Sequence, residues 1–217
     1  MAAIRVYLEV TDKKSFAVAL DWPGWCRSGK DEQAALETLA VYAPRYVPVA
    51  RRAGVGFAVD AHLEVVDSVR GDATTAFGAP SKLGPDDQDR PTPTRRKTHL
   101  KVLQACWAEL DGIAARSPAS LRKGPRGGGR DRDKMLIHVL EAEAAYARYV
   151  GLKTPAPSLD RDVIQRHRKA VLEALHAAGS TTSSSEGTKR WPFAYAVRRI
   201  AWHALDHAWE MEDRRDA

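Results

Sequence analysis

The sequence predicts an α+β protein, in which a small N-terminal α+β domain precedes a C-terminal antiparallel four-helix bundle. Two patterns support this fold class. In the first 70 residues apolar and polar side chains alternate, as along residues 4–10, which is typical of half-buried strands. After residue 93 apolar side chains recur every three or four positions, which places them on one face of a helix. Residues 71–92, rich in Gly, Pro and Asp, separate the patterns, so we predict domains 1–70 and 93–217 joined by this linker.

The N-terminal domain is predicted to be a small sheet with one helix. Alternating apolar residues predict strands over residues 4–10, 16–20 and 57–65. One helix is predicted between the last two strands, and Pro44 and Pro48 limit its length, because proline removes a backbone donor from a helix interior.

The C-terminal domain is predicted to contain four helices. Their approximate ranges are 94–116, 131–150, 159–178 and 191–213. Four helices of this length, joined by loops that contain Gly, Pro and Ser, are typical of an antiparallel bundle.

The charge of the chain limits its partners. The formal net charge is +6, and the basic residues come in short groups, such as Arg95-Arg96-Lys97. Because no block of like charge is long enough for a nucleic-acid arm, no nucleic-acid partner is expected, and a small anionic substrate suits the basic character better.

Cysteine usage and hydropathy indicate a location. Cys26 and Cys106 lie far apart in different predicted elements, which argues against a disulfide framework and for a reducing cytoplasm. The first ten residues lack the basic and apolar regions of a secretory signal. No apolar run approaches the ~18 residues of a membrane span, so no membrane partner is expected.

Three histidines lie on the apolar faces of two predicted helices. His203 and His207 are about one helical turn apart and continue the stripe that includes Ile200, and His138 continues the stripe that includes Met135. Buried imidazoles need polar partners. A divalent metal would satisfy all three rings and leave one coordination position open, as catalytic sites do. The alternative is core histidines that bond to carbonyls or carboxylates.

One histidine on the second predicted helix, followed by two at i and i+4 on the fourth, resembles the DinB-like four-helix bundles. These include the YfiT-like metal-dependent enzymes and the mycothiol-dependent maleylpyruvate isomerases. The resemblance is carried by residues 133–151 and 193–214. It implies that His138, His203 and His207 bind a divalent metal, zinc or nickel above all, and that a low-molecular-weight thiol is the cosubstrate.

A shorter resemblance concerns the N-terminal domain. Residues 15–39, with Asp-x-Pro-Gly at positions 21–24, are similar to the HicB-type antitoxin half. This resemblance implies a domain that binds a partner protein or docks on the bundle, and no antitoxin function is carried over with it.

Two further features are candidates for substrate binding and catalysis. Residues 121–134 combine three consecutive glycines with Arg126 and Arg130, which are candidate anion-binding residues beside a helix N-terminus. The alternative is a flexible loop before a capped helix. Glu141 follows His138 by three residues and is a candidate catalytic base; the alternatives are a fourth ligand, a partner that orients an imidazole, or a surface carboxylate.

These observations lead to two functional hypotheses. The first is a divalent-metal-dependent enzyme, a thiol S-transferase or hydrolase that acts on a small anionic substrate. The second is a non-catalytic regulatory protein that binds a metal or a small molecule. A purely structural bundle without metal is a third option, and a homodimer is left open.

Overall fold

The computed structural model describes residues 3–124, 129–180 and 190–215, which form a mixed α+β fold. The strands are β1 (Ile4–Val10), β2 (Ser15–Ala19), β3 (Cys26–Gly29) and β4 (Leu63–Arg70). The helices are α1 (Glu32–Val41), α2 (Ala43–Ala53), α3 (Ala73–Phe77), α4 (Pro93–Arg116), α5 (Arg132–Arg148), α6 (Arg161–Ala178) and α7 (Phe193–Asp213).

The four strands form one sheet in the order β3-β2-β1-β4. β1 and β2 form an antiparallel hairpin, whereas β4 returns parallel to β1, with Leu63 opposite Ile4. The strand predicted over residues 57–65 is therefore displaced, because pairing with β1 begins at Leu63 and the preceding residues are not extended into the sheet. β3, which pairs with β2, was not predicted, since its sequence Cys-Arg-Ser-Gly lacks apolar alternation.

The single N-terminal helix that was predicted is in fact two. The Asp31 side chain caps α1 by accepting a hydrogen bond from the backbone N–H of Ala34 at 2.8 Å. Tyr42 separates α1 from α2, and both prolines that were expected to limit the helix lie inside α2. Pro44 is tolerated because its position in the first turn needs no donor. The expectation about Pro48 was wrong: α2 continues past it to Ala53.

The segment of residues 71–92, predicted to be a linker, packs on the sheet and contains α3. The carboxylate of Glu9 in β1 is fully buried and accepts hydrogen bonds from the Thr75 hydroxyl and from the backbone N–H groups of Ser81 and Lys82. A buried carboxylate needs such donors. The segment is thereby fixed to the sheet, while a domain boundary within it stays a prediction.

The four C-terminal helices lie where the periodicity predicts them, within two residues at nearly every end, and no strand occurs in the described parts of residues 93–215. α7 contacts α4, α5 and α6, and Trp202 of α7 packs edge-on against Phe16 of β2. One hydrophobic core includes Leu8 of the sheet, Leu39 of α1 and Leu205 of α7. The sheet and the C-terminal helices therefore share one core, and α7 contacts both.

The turn between β2 and β3 brings the sheet into contact with α7. Gly24 in this turn has φ +90°, and a Cβ on it would lie 2.7 Å from Leu205. The position requires glycine for its backbone conformation and for its close approach. Across the described ranges, every helix is too short or too polar to cross a bilayer.

Candidate metal centre

α5 and α7 bring three imidazoles together. His203 and His207, one turn apart on α7, face His138, which lies two turns into α5. The ring centroids are 4.6 Å apart for His203 and His207, and His138 is 5.0 Å from each of them. The predicted convergence of the three rings is confirmed as geometry.

The nitrogens of the cluster have nearly the spacing that one metal ion needs. One ring nitrogen from each of the three histidines lies within 4.8 Å of the other two. Two nitrogens bound to one zinc ion at about 2.0–2.1 Å are at most about 4.2 Å apart. Small rotations of the rings would bring the three nitrogens onto one ion, so the donor set fits a divalent metal.

A carboxylate that the sequence analysis missed orients one of the rings. Nδ1 of His207 lies 2.9 Å from Oε2 of Glu210, three residues along the same helix face. Because a carboxylate only accepts, Nδ1 carries the proton and Nε2 keeps its lone pair. Arg214 donates to Oε1 of Glu210 at 2.7 Å and fixes the carboxylate in turn. This is the arrangement found around metal-binding histidines.

Arg122 and Gly129, which lie on the two sides of residues 125–128, both approach Arg214 at the C-terminal end of α7. A Cβ on Gly129, which has φ +112°, would clash with the guanidinium of Arg214. Arg214 also donates to the backbone oxygen of Arg122 at 2.6 Å. Gly129 thus allows a close approach to the Arg214–Glu210 pair that supports His207.

The surroundings of His203 and His138 favour the neutral form of their imidazoles. Burial lowers the pKa of His203 well below its ordinary value, and the positive charges of His207, His138, Arg199 and Arg130 lower it further. The pKa of His138 is lowered as well, first by burial and then by the charge of Arg130. Neutral imidazole is the form that binds a metal.

Two buried nitrogen atoms beside the cluster lack hydrogen-bond partners among the described residues. Nδ1 of His203 is buried and has no hydrogen-bond partner among the described residues. Arg199, one turn before His203, is only 8% exposed, and its Nη1 is likewise without a partner. Its guanidinium stacks on Tyr146 at 5.1 Å and on Trp202 at 4.7 Å. A buried cation that packs on aromatic faces and has an unpaired N–H group favours an anion beside it.

The other residues predicted for the site have different positions. Glu141 is exposed and is not part of the three-histidine group, so its catalytic role stays a prediction. Arg130 is exposed, yet it is near enough for its charge to act on His138 and His203. Arg126 lies outside the described residues.

Neither cysteine belongs to the site. Cys26 and Cys106 are both buried and free. Burial raises the pKa of each thiol above its ordinary value, so neither is a nucleophile near neutral pH.

The chain matches no protein-family model, no curated protein and no solved structure. The function of the candidate site is therefore argued from its own residues and their geometry.

Proposed function

We propose that the protein is a divalent-metal-dependent enzyme, with His138, His203 and His207 as the metal ligands. The observation that carries the proposal is the convergence of three ligand nitrogens within 4.8 Å on two packed helices. The hydrogen bond from His207 to Glu210 supports it, because it leaves the other ring nitrogen free to bind a metal. Zinc and nickel are among the divalent ions that imidazole ligands suit, and they are the two that the DinB-like resemblance implies.

The charges around the site favour an anionic substrate. Arg199 is buried, and its Nη1 has no hydrogen-bond partner among the described residues. It packs on Tyr146, whose ring lies 5.8 Å from that of His203. Arg130 adds a second, exposed positive charge near the same histidines. A carboxylate or another small anion beside the cluster would compensate the charge of Arg199.

The proposed chemistry is S-transfer or hydrolysis with a small thiol as cosubstrate, the activity that the DinB-like resemblance implies. A divalent ion with an open position lowers the pKa of a bound water or thiol and so supplies a nucleophile near neutral pH. The chain's own contribution is to orient His207 through Glu210, to exclude water around His203 by burial and to hold an anion at Arg199.

Metal analysis tests the ligand set. Purified wild-type protein is expected to hold about one zinc or nickel ion per chain. His203→Ala is expected to lose it, whereas His176→Ala, which alters an exposed histidine on α6, is expected to keep it. Equal metal content in the two variants would contradict the proposed ligands.

Cobalt substitution tests whether the site has an open position, which separates an enzyme from a metal-holding regulatory protein. Cobalt(II) in the zinc site gives visible bands that report its coordination. With N-acetylcysteine as the probe, we expect a new thiolate-to-cobalt absorption in the wild type and none in His207→Ala. If the wild-type spectrum stays unchanged at saturating thiol, thiol chemistry at this site is ruled out and the regulatory alternative is favoured.

A further inference from the structure

A second cavity lies on the opposite side of α5 from the histidine cluster. Its volume is about 330 Å³, and its walls are α5, α6 and the proline-rich segment of residues 152–158. Leu140 and Ala144 of α5 face Val163 and Ile164 of α6 across it. None of the three candidate metal ligands lines it. Its volume lies at the lower end of the range for small-molecule sites.

The cavity exists because the first half of α6 stands away from the core. Within α6 only Val171 and Leu175, both in its second half, are buried. Val163 and Ile164 are half-buried, although they lie on the apolar face of the helix. Well-packed interiors have few voids larger than a water molecule. An apolar space of this size between two helices is typical of the places where small molecules bind.

A chain of polar groups lies beside the apolar walls. The Trp107 indole N–H donates to Oε1 of Glu143, whose side chain is fully buried on α5. Oε2 of Glu143 lies 3.4 Å from Nε2 of His167, which lines the cavity. Neither of these two atoms has a hydrogen-bond partner among the described residues, so the carboxylate and the imidazole are polar neighbours at the cavity wall without a hydrogen bond between them.

The remaining polar groups of the cavity are donors and cations. The Thr154 hydroxyl lines it, is buried and has no partner among the described residues. Lys153 and Arg166 lie at the exposed rim, and no Asp or Glu is among the described lining residues. A ligand with a negative head and an apolar body complements this arrangement.

We propose that this cavity is a second binding site, which takes a small acid with an apolar body and one anionic head, such as a medium-chain carboxylate. The body lies between Leu140 and Ile164. The head accepts a hydrogen bond from Thr154 and pairs with Lys153 and Arg166 at the rim. The site is separate from the proposed metal centre and does not depend on the metal.

Calorimetric titration with octanoate tests the site, with octanol as the uncharged control. Octanoate is expected to bind the wild type saturably and more tightly than octanol. Ala144→Phe fills the cavity and is expected to weaken octanoate binding at least tenfold. Ala108→Phe is the matched control, because Ala108 lines a different cavity between α4 and α6. If Ala144→Phe does not fold, Ala170→Leu fills the cavity from the α6 wall.

The rim charges have their own test. Replacing both Lys153 and Arg166 by Gln is expected to weaken octanoate binding about three- to tenfold, as expected for exposed charges, and to leave octanol binding unchanged. His203→Ala is expected to bind octanoate like the wild type. Equal affinity for octanoate and octanol, no saturable octanoate binding, or unchanged binding in the filled variants would each overturn the proposal.

Discussion

The two last helices differ sharply in their surroundings. In α7, 17 of 21 residues are buried, including Arg198, Arg199 and two histidines. In α6, 2 of 18 residues are buried, although its apolar residues follow a regular helical stripe. α7 packs on α4 and α5 and contacts Phe16 and Arg27 of the sheet, whereas α6 makes few contacts with the other helices. An amphipathic pattern thus shows which face of a helix is inward but not how deeply the helix is buried.

The contrast also separates two kinds of polar group. On α7 some buried polar side chains have specific partners, such as Asp87 for Arg198 and Glu210 for His207. On α6 an exposed pair lies at the surface, Lys169 with Glu173. Equivalent substitutions should therefore lower the free energy of unfolding much more in α7 than in α6.

The largest effect is expected at the buried ion pair. Asp87→Ala leaves the guanidinium of Arg198, only 4% exposed, without its partner and should lower the free energy of unfolding by about 3–5 kcal/mol. Glu173→Ala, which removes the exposed partner of Lys169 on α6, should cost under about 1 kcal/mol. Urea denaturation measures both. Adding Arg198→Met to Asp87→Ala should recover part of the loss, and similar losses for the two single variants would remove the contrast.

The two helices can also be compared by truncating one isoleucine in each and measuring the loss of unfolding free energy. This loss is expected to be smaller than at the buried ion pair. Ile200→Ala in α7 opens a cavity at a fully buried position and should cost about 3 kcal/mol. Ile164→Ala in α6 affects a half-buried side chain at a cavity wall and should cost about 1 kcal/mol. The same denaturation curves measure the difference, and a larger loss for Ile164→Ala would reverse our assignment of the core.

Acid stability should depend on a histidine packed against α7. Burial lowers the pKa of His99, whose ring stacks on Phe193, from 6.5 to about 3. Protons therefore bind the unfolded chain first: this contribution to stability is complete above pH 6.5 and is lost as the pH falls from 6.5 towards 3. At pH 5 the loss is about 2 kcal/mol. His99→Leu should remove about that much of the change in unfolding free energy between pH 7 and pH 5.

The control for His99 is the exposed His176 of α6. His176→Ala should leave the pH dependence of stability as it is in the wild type. If the unfolding free energy of His99→Leu fell between pH 7 and pH 5 as much as that of the wild type, the pH dependence would come from another titratable group.

The smallest change concerns the support of the metal centre. Glu210→Gln keeps the shape of the side chain but weakens its hold on Nδ1 of His207 and should reduce zinc affinity about tenfold, with the fold intact. Glu173→Gln, an exposed change on α6, should leave zinc affinity unchanged. Competition with a chromophoric chelator measures both constants. Identical constants for the two variants would show that Glu210 does not support the site.

Local patterns predicted much of this fold. The alternation along residues 4–10 and the four helical stripes gave elements close to the observed ones. The patterns gave the wrong secondary structure where contacts between distant residues determine it. Apolar Phe57 belongs to an aromatic cluster with Trp22 and Trp25 and not to a strand, and the edge strand β3 has no alternation at all.

For the candidate site, the sequence predicted the three histidines but not the charged residues around them. The spacing of His203 and His207 placed both rings on one face, and the bundle brought His138 to them. Glu210 was missed, although its position three residues after His207 was a usable signal. Arg199 was missed because its burial follows from the sheet that covers α7, and nothing in the local sequence distinguishes it from an exposed arginine.

The central place of α7 has a consequence for how the protein is made. The segment that joins the sheet to the bundle is the last of the described helices to leave the ribosome, at about 5–20 residues per second. Until residues 193–213 have emerged, the apolar surfaces of the sheet and of α4 and α5 that α7 covers stay open to solvent. The nascent chain therefore has to remain unaggregated while residues 1–192 are already synthesised, and the shared core of these elements is completed only when α7 joins them.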